Sequence, residues 1–553
     1  MLPFYLCFVT IRNRMEMKRR GMRKLTAAVL ASLAVISCAK EMGPDPYDST
    51  DFDYAYGLDH GEIVLGKKLE NPYTVENVGK ALAKVYPTKG RLEVETTNIY
   101  ARFLPKTDAE LELLDGLVLV DHPLDYAIAR EGDWYHDPEV PEGEMTWMYA
   151  VVDKDYVFPD VQYEVLDECF ISENRTVTRS PGGEVLDDGI DWDEVMRTAY
   201  MMTGNGGLLE SLETRASELE EACPSGRITL VDKDAAGGKP VGVAGVTVLC
   251  NSFVKFAKAY TDRDGYYRMD KSFKSSVRYR LVFRNERDFS LGFNFILVPA
   301  SVSTLGKSDP SGVNVTVTED SDPRLFRRCA VSNAAYDFIG RCTPKDLGID
   351  PPQKDIRIWI FPDVKASSAI MMHHGTVVDD ARIATWLGVY APIVTFFAPD
   401  ITIGASGKDS CKDLYSVTCH EMAHACHFAS VGKKWWDKYI GFILSSFLSS
   451  GGTTYGTGSE PGAGYCEIGE MWAYFIQAKM HKERYGGGMP SFGTSYWFYP
   501  QIFRYLEERG LPAGNIFEAL TDEVCSRELL QTKLLDLYPA KKTVIQQVFS
   551  RYE

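Results

Sequence analysis

The spacing of apolar positions changes several times along the chain. Residues 25–36 form a short apolar run that follows Lys18-Arg19-Arg20 and Arg23-Lys24 and ends in Ser37-Cys38. It is too short to span a membrane comfortably. From Cys38 through Glu62 the chain is rich in Asp, Gly, Pro and Tyr and poor in aliphatic residues. This composition predicts a surface tether. From about Lys89 short apolar runs alternate with turns, predicting strands at 99–105, 117–120 and 147–152. Between Gly226 and Thr318 lie four more such runs, at 228–231, 246–249, 279–283 and 313–317, which predict a small β-sandwich. From Asp322 the texture is mixed, with strand-like runs at 356–361 and 393–397 and mostly helical periodicity beyond them.

Length turns these elements into a domain plan. At about 150 residues per domain, 553 residues predict three or four units. The expected fold is multidomain α+β: a β-rich N-terminal region, a small β-sandwich and a mostly helical C-terminal domain. The divisions fall at 1–38 (signal), 39–88 (tether), 89–222, 223–320 and 321–553. No repeat of solenoid type is visible.

Sixty Lys and Arg against 77 Asp and Glu give a net charge of −17, which repels a phosphate backbone and argues against nucleic acid as a partner. Twelve Cys are too few for a disulfide scaffold, and none stands in CxxC spacing.

The chemistry is concentrated at Thr418-Cys419-His420-Glu421-Met422-Ala423-His424. Two His four apart on a helix project from one face about 6 Å apart along the axis, so both imidazoles reach one Zn²⁺, and Glu421 between them is placed as general base on a water. Ser410 with Asp413 predicts the N-terminus of that helix, Gly432 its end, and Lys433 and Lys434 suit its C-terminal pole. Catalytic zinc usually takes three protein ligands and leaves a position open. His427 lies about 10 Å along the axis from His420, too far for both to hold one ion, so a buried, substrate-facing or supporting role is left to it. The metzincin pattern requires a His ten residues after His420, and Ser430 stands there.

A third ligand is then expected from 465–475, where Glu467 and Glu470 share a helix face. Glu470 is preferred because Ala473, three residues on, lets two helices approach closely; Glu467 is the alternative ligand or the carboxylate that orients a ligating His. For the oxyanion, Tyr455, Tyr465, Tyr474, Tyr496 and His427 all stand as donors. The Gly-rich 451–459 reads equally as a lid or a surface loop. Cys419 and Cys426 point away from the His420/His424 direction and read as small packed residues or a disulfide. The His and Asp residues at 121–126 and 135–138, and Asp262 with Asp264, read as turns rather than metal sites. His373 and His374 read as an ordinary surface or core pair.

Several of these stretches resemble known families. The basic residues, apolar run and Val35-Ile36-Ser37-Cys38 resemble a bacterial lipoprotein signal, which implies acylation at Cys38, export, and an outer-membrane or cell-surface location. Gly245-Val246-Thr247-Val248 followed by Thr261-Asp262-Arg263-Asp264-Gly265-Tyr266-Tyr267 resembles the transthyretin-like, carboxypeptidase-regulatory sandwich. HExxH with a downstream Glu resembles the gluzincins. Together these features resemble the zinc-binding metallopeptidase lipoproteins of gut Bacteroidetes. That resemblance implies a Zn²⁺ cofactor and hydrolysis of extracellular protein or peptide substrates. The competing expectation is a surface lipoprotein that binds protein or glycan, its zinc site structural or degenerate. An intact Glu421 favours the enzyme, since a structural site has no use for a general base.

Overall fold

A computed structural model describes residues 61–89, 93–175, 189–211, 218–235, 237–376, 393, 396–450, 455–486 and 496–552. Cys38 and the signal segment therefore lie outside the described residues. The chain is a multidomain α+β protein, rich in strands in its first part and helical in its last.

The N-terminal region begins earlier than its composition predicts. Strand β1 (Val64–Lys68) pairs antiparallel with β3 (Tyr126–Arg130). Helix α1 (Val75–Val85) starts at Thr74, whose side chain accepts from the Asn77 N–H. Val78, Ala81 and Leu82, at helical spacing, bury against Phe170 and against Val195 and Ala199 of helix α3 (Trp192–Met202). The described part of 39–88 is thus folded rather than a tether: the helical period of three apolar residues outweighs the polar composition around them. Strand β2 (Asn98–Leu104) is the centre of a three-stranded antiparallel sheet between β4 (Met148–Asp153) and β5 (Gln162–Cys169). The strand expected at 117–120 does not form; Val120 makes only an isolated bridge to Tyr149. The short helix α2 (Asp108–Glu112), capped by Thr107, precedes it.

Two sheets build the sandwich. In the smaller, β6 (Ser225–Val231) pairs with β7 (Pro240–Gly242), β10 (Tyr266–Arg268) and β14 (Val315–Val317). The Asp262 carboxylate accepts from the N–H groups of Asp264 and Tyr266, so the acidic pair there is a turn. The larger sheet contains β8 (Val246–Ser252), β9 (Lys255–Tyr260), β11 (Val277–Asn285), β12 (Phe289–Phe293) and β13 (Val302–Ser308).

This larger sheet does not end at residue 320. Strand β12 pairs in parallel with β15 (Ile356–Phe361), which pairs in parallel with β17 (Ile401–Gly404), and β16 (Ser368–Ala369) closes the edge. Eight strands run in one sheet across the expected boundary, and one apolar cluster joins Val248, Leu281 and Phe293 to Ile358, Met422 and Trp472. Of the apolar run at 393–397, expected as a strand, Ile393 and Phe396 are helical; a short buried apolar run suits either state, and these two bury against Trp359 and Phe361.

Helix α4 (Pro323–Arg341) starts with Asp322 accepting from two backbone N–H groups and Pro323 at its first position. It lies against helix α5 (Cys411–Val431). Buried Arg328 ties it to the N-terminal region through Asp133 at 2.7 Å. Among the described residues, helices α6 (Lys433–Ser450), α7 (Ala463–Tyr485), α8 (Gln501–Glu508), α9 (Ala513–Glu518), α10 (Arg527–Leu537) and α11 (Lys542–Phe549) follow. Among the described residues no helix is long and apolar enough to cross a membrane.

Candidate metal centre

Helix α5 is fixed at both ends. The Ser410 hydroxyl oxygen accepts from the Asp413 N–H at 3.0 Å while donating to the Asp413 carboxylate at 2.7 Å, and Gly432, at φ +75°, ends the helix in a conformation that L side chains rarely adopt. Lys433 and Lys434 do not complement the end of α5; they open α6, one residue later. Helix α7 packs along α5, and the Trp472 indole donates to the Ala423 carbonyl at 3.1 Å. That bond, with Ala473 fully buried, locks the two helices at close range.

The close approach brings His420 and His424 of α5 to Glu470 of α7. His420 Nε2 lies 3.6 Å from Glu470 Oε2, and His424 Nε2 lies 3.7 Å from Glu470 Oε1. One ligand atom from each residue falls within 4.8 Å of the other two. Tetrahedral ligands about 2.0–2.1 Å from zinc are separated by about 3.3 Å, so two imidazoles and a carboxylate at these spacings fit the ion with small adjustment. All three residues are buried.

Partners around the trio set its chemistry. His420 Nδ1 lies 3.0 Å from the Gln477 carboxamide oxygen, an acceptor only; Nδ1 therefore carries the proton and Nε2 presents its lone pair toward Glu470. The Tyr439 hydroxyl donates to Glu470 Oε1 at 2.5 Å. Burial, followed by the neighbouring imidazoles of His420 and His427, holds His424 well below the usual imidazole range, in its neutral, ligating form. Glu421 is fully buried, and neither of its carboxylate oxygens has a hydrogen-bond partner among the described residues. Burial, reinforced by the charge of Glu470, holds its carboxyl well above the usual carboxylate range.

One sequence expectation is corrected and one is narrowed. Glu467 neither joins the trio nor orients a histidine; its Oε1 faces Arg527 Nε at 3.6 Å. Three residues from Glu470 it lies on the same side of α7, but toward the α10 end of the bundle. Of the roles left open to it, His427 takes the buried one, outside the trio. Its ring packs on Trp435 at 4.6 Å and Trp436 at 5.8 Å, and burial pushes it down to about 3. One further helical turn carries it past the trio into the aromatic wall of α6.

Among the tyrosines, Tyr474 places its ring 4.6 Å from that of His420 and its hydroxyl 3.5 Å from that of Tyr496. Tyr455 packs on Tyr496, whereas Tyr465 accepts from Lys438 away from the site. Residues 451–454 of the Gly-rich stretch lie outside the described residues. Cys419, Cys426 and Cys466 are buried free thiols.

A second group, Asp108, Glu112 and His373, has spacing a metal ion could use. Arg357 Nη1 already grips both Asp108 oxygens, at 2.8 and 2.7 Å. His373 sits between Asp355 and Asp108; burial opposes its charge, but the two carboxylates prevail and raise it to about 9. With Arg357 and His373 both paired to its carboxylates, the cluster is arranged as an ion-pair network. His122, likewise, is buried between Asp121 at 2.7 Å and the Arg280 guanidinium at 2.7 Å.

Tyr439 and Gln477 carried no signal in the sequence, because a hydrogen bond between helices leaves no spacing rule. The chain matches no protein-family model and no curated protein.

Proposed function

We propose that the chain is a zinc-dependent peptidase in which His420, His424 and Glu470 hold the ion and Glu421 acts as general base. The observation that carries this reading is the Glu421 carboxyl, fully buried beside the trio with both oxygens unpartnered among the described residues. Burying a carboxyl in that state is expensive, and a purely structural site gives no reason to retain it.

Zinc, when held there, supplies Lewis acidity toward a carbonyl and toward water. The chain's own residues do the rest. Gln477 keeps the proton on His420 Nδ1 so that Nε2 can ligate. Glu421 takes a proton from the attacking water on its carboxylate and returns it to the departing amine; a carboxyl raised by burial is suited to carry that proton briefly. Tyr474, whose ring lies against His420, is the donor proposed for the reacting carbonyl. Three grouped ligands among the described residues also favour catalysis over structure, because structural zinc takes four protein donors.

Protein or peptide is the substrate class, and the net charge of −17 disfavours nucleic acid. The basic and apolar residues before Cys38 support export and a lipid anchor there. The test is a proteome-wide profile of cleavage sites for wild type against Glu421→Ala. Cleavages present only with wild type, in a variant that still takes up zinc, support the reading. Equal cleavage by both overturns it.

A further inference from the structure

We infer that Tyr439 is a positioning residue for the metal centre: its phenol holds the Glu470 carboxylate in the orientation in which it can ligate. The inference rests on the zinc reading above.

Helix α6 follows α5 after the single residue Gly432, and this sharp turn sends it back along the site. It presents Trp435, Trp436 and Tyr439, all nearly fully buried. The Trp436 indole donates to the Ala369 carbonyl of β16 at 3.0 Å, fixing the helix to the sheet edge. Tyr439 then touches two members of the trio. Its hydroxyl donates to Glu470 Oε1 at 2.5 Å, and its ring lies 5.6 Å from that of His424, tilted by 36°. The ring also packs on that of Trp436 at 4.7 Å.

Helix α7 is shaped to admit this ring. Gly469 immediately precedes Glu470, and a Cβ at that position would stand 3.3 Å from Tyr439 Cε2, closer than side-chain carbons ordinarily approach. Without a side chain there, the phenol reaches the carboxylate from the flank of α7.

A glutamate has three side-chain torsions to fix, and ordering them costs conformational entropy. A donor that fixes the carboxylate beforehand removes much of that cost from metal binding. The donor here is neutral. A Lys or Arg in its place would neutralise the ligand and compete with the cation, whereas a phenol orients the carboxylate and leaves its charge for the ion.

The test uses the full chain as wild type, Tyr439→Phe and Gly469→Ala. Zinc affinity is measured by chelator competition, the visible spectrum of the Co²⁺-substituted protein is recorded, and the unfolding temperature of the metal-free protein is followed. Tyr439→Phe keeps the ring and removes only the hydroxyl. It is expected to weaken zinc binding by about 10–100-fold and to shift the Co²⁺ spectrum, with little change in metal-free unfolding temperature. Gly469→Ala, by displacing the ring, is expected to shift zinc affinity in the same direction. Unchanged zinc affinity in Tyr439→Phe overturns the inference, as does a fall in metal-free unfolding temperature with affinity intact. A wild type that takes up no zinc overturns the reading on which the inference rests, a result distinct from either.

Discussion

The Gln477 carboxamide oxygen accepts the Nδ1 proton of His420 at 3.0 Å, across the contact between α5 and α7. This bond fixes which imidazole nitrogen is bare. Gln477→Ala is expected to reduce zinc affinity by about 10-fold or more, since loss of such supporting partners typically has effects of 10–100-fold. Gln477→Glu, with a stronger acceptor at the same place, should retain or raise affinity. Chelator competition on the three proteins decides the matter, and equal affinities would remove Gln477 from the site.

Glu421→Gln separates catalysis from stability. Loss of the base should slow peptide cleavage by about 10²–10⁴-fold. In metal-free protein the same change should stabilise. The folded-state carboxyl is held above its usual range, so its ionised form becomes a burden as pH rises past the ordinary Glu value of about 4.3. The advantage of Glu421→Gln in unfolding temperature should therefore grow from pH 4 to pH 7. An advantage that shrinks over that interval would contradict the assignment.

The interface of α4 with the N-terminal region turns on Arg328, which meets Asp133 at 2.7 Å and the Ser303 hydroxyl at 2.6 Å. Arg324 approaches Asp133 only to 3.9 Å and compensates little. Arg328→Met should destabilise by about 3–5 kcal/mol, the usual consequence of leaving one partner of a buried pair alone. Denaturant unfolding measures this, and a change under about 1 kcal/mol would show that the pair is dispensable.

His373 gives a second pH dependence. Raised to about 9 by Asp108 and Asp355 against the opposing effect of burial, it stabilises fully below the ordinary His value of about 6.5, and that contribution is lost as pH rises through 9. The difference in unfolding temperature between wild type and His373→Gln should be largest near pH 6 and nearly absent above pH 9. A difference independent of pH would mean that packing, not charge, is what His373 contributes.

The parts of the fold that depend on neighbours in sequence were legible beforehand. Ser410, Asp413 and Gly432 mark the ends of α5 through local hydrogen bonding and a backbone conformation, and two His four apart share a face on any helix. Glu470 was reachable because a third ligand was required and few carboxylates lay on a following helix. Features built by contacts between distant residues were hidden. The parallel pairing of Phe289 with Ile356 joins strands far apart in the chain, and nothing in either strand announces the other. Tyr439 looked like one aromatic among several. At 393–397 a short apolar run offered no period to distinguish strand from helix.

The step from β12 to β15 has a consequence for how this chain can be cut and joined. Severing it after residue 320 would leave the backbone groups of Phe289–Phe293 and Ile356–Phe361 facing water where they now face each other, and would open an apolar interior on both pieces. Neither piece is therefore a portable module. In recombination and in engineering, the unit that can be exchanged is the stretch carrying the whole eight-stranded sheet together with the helices on it.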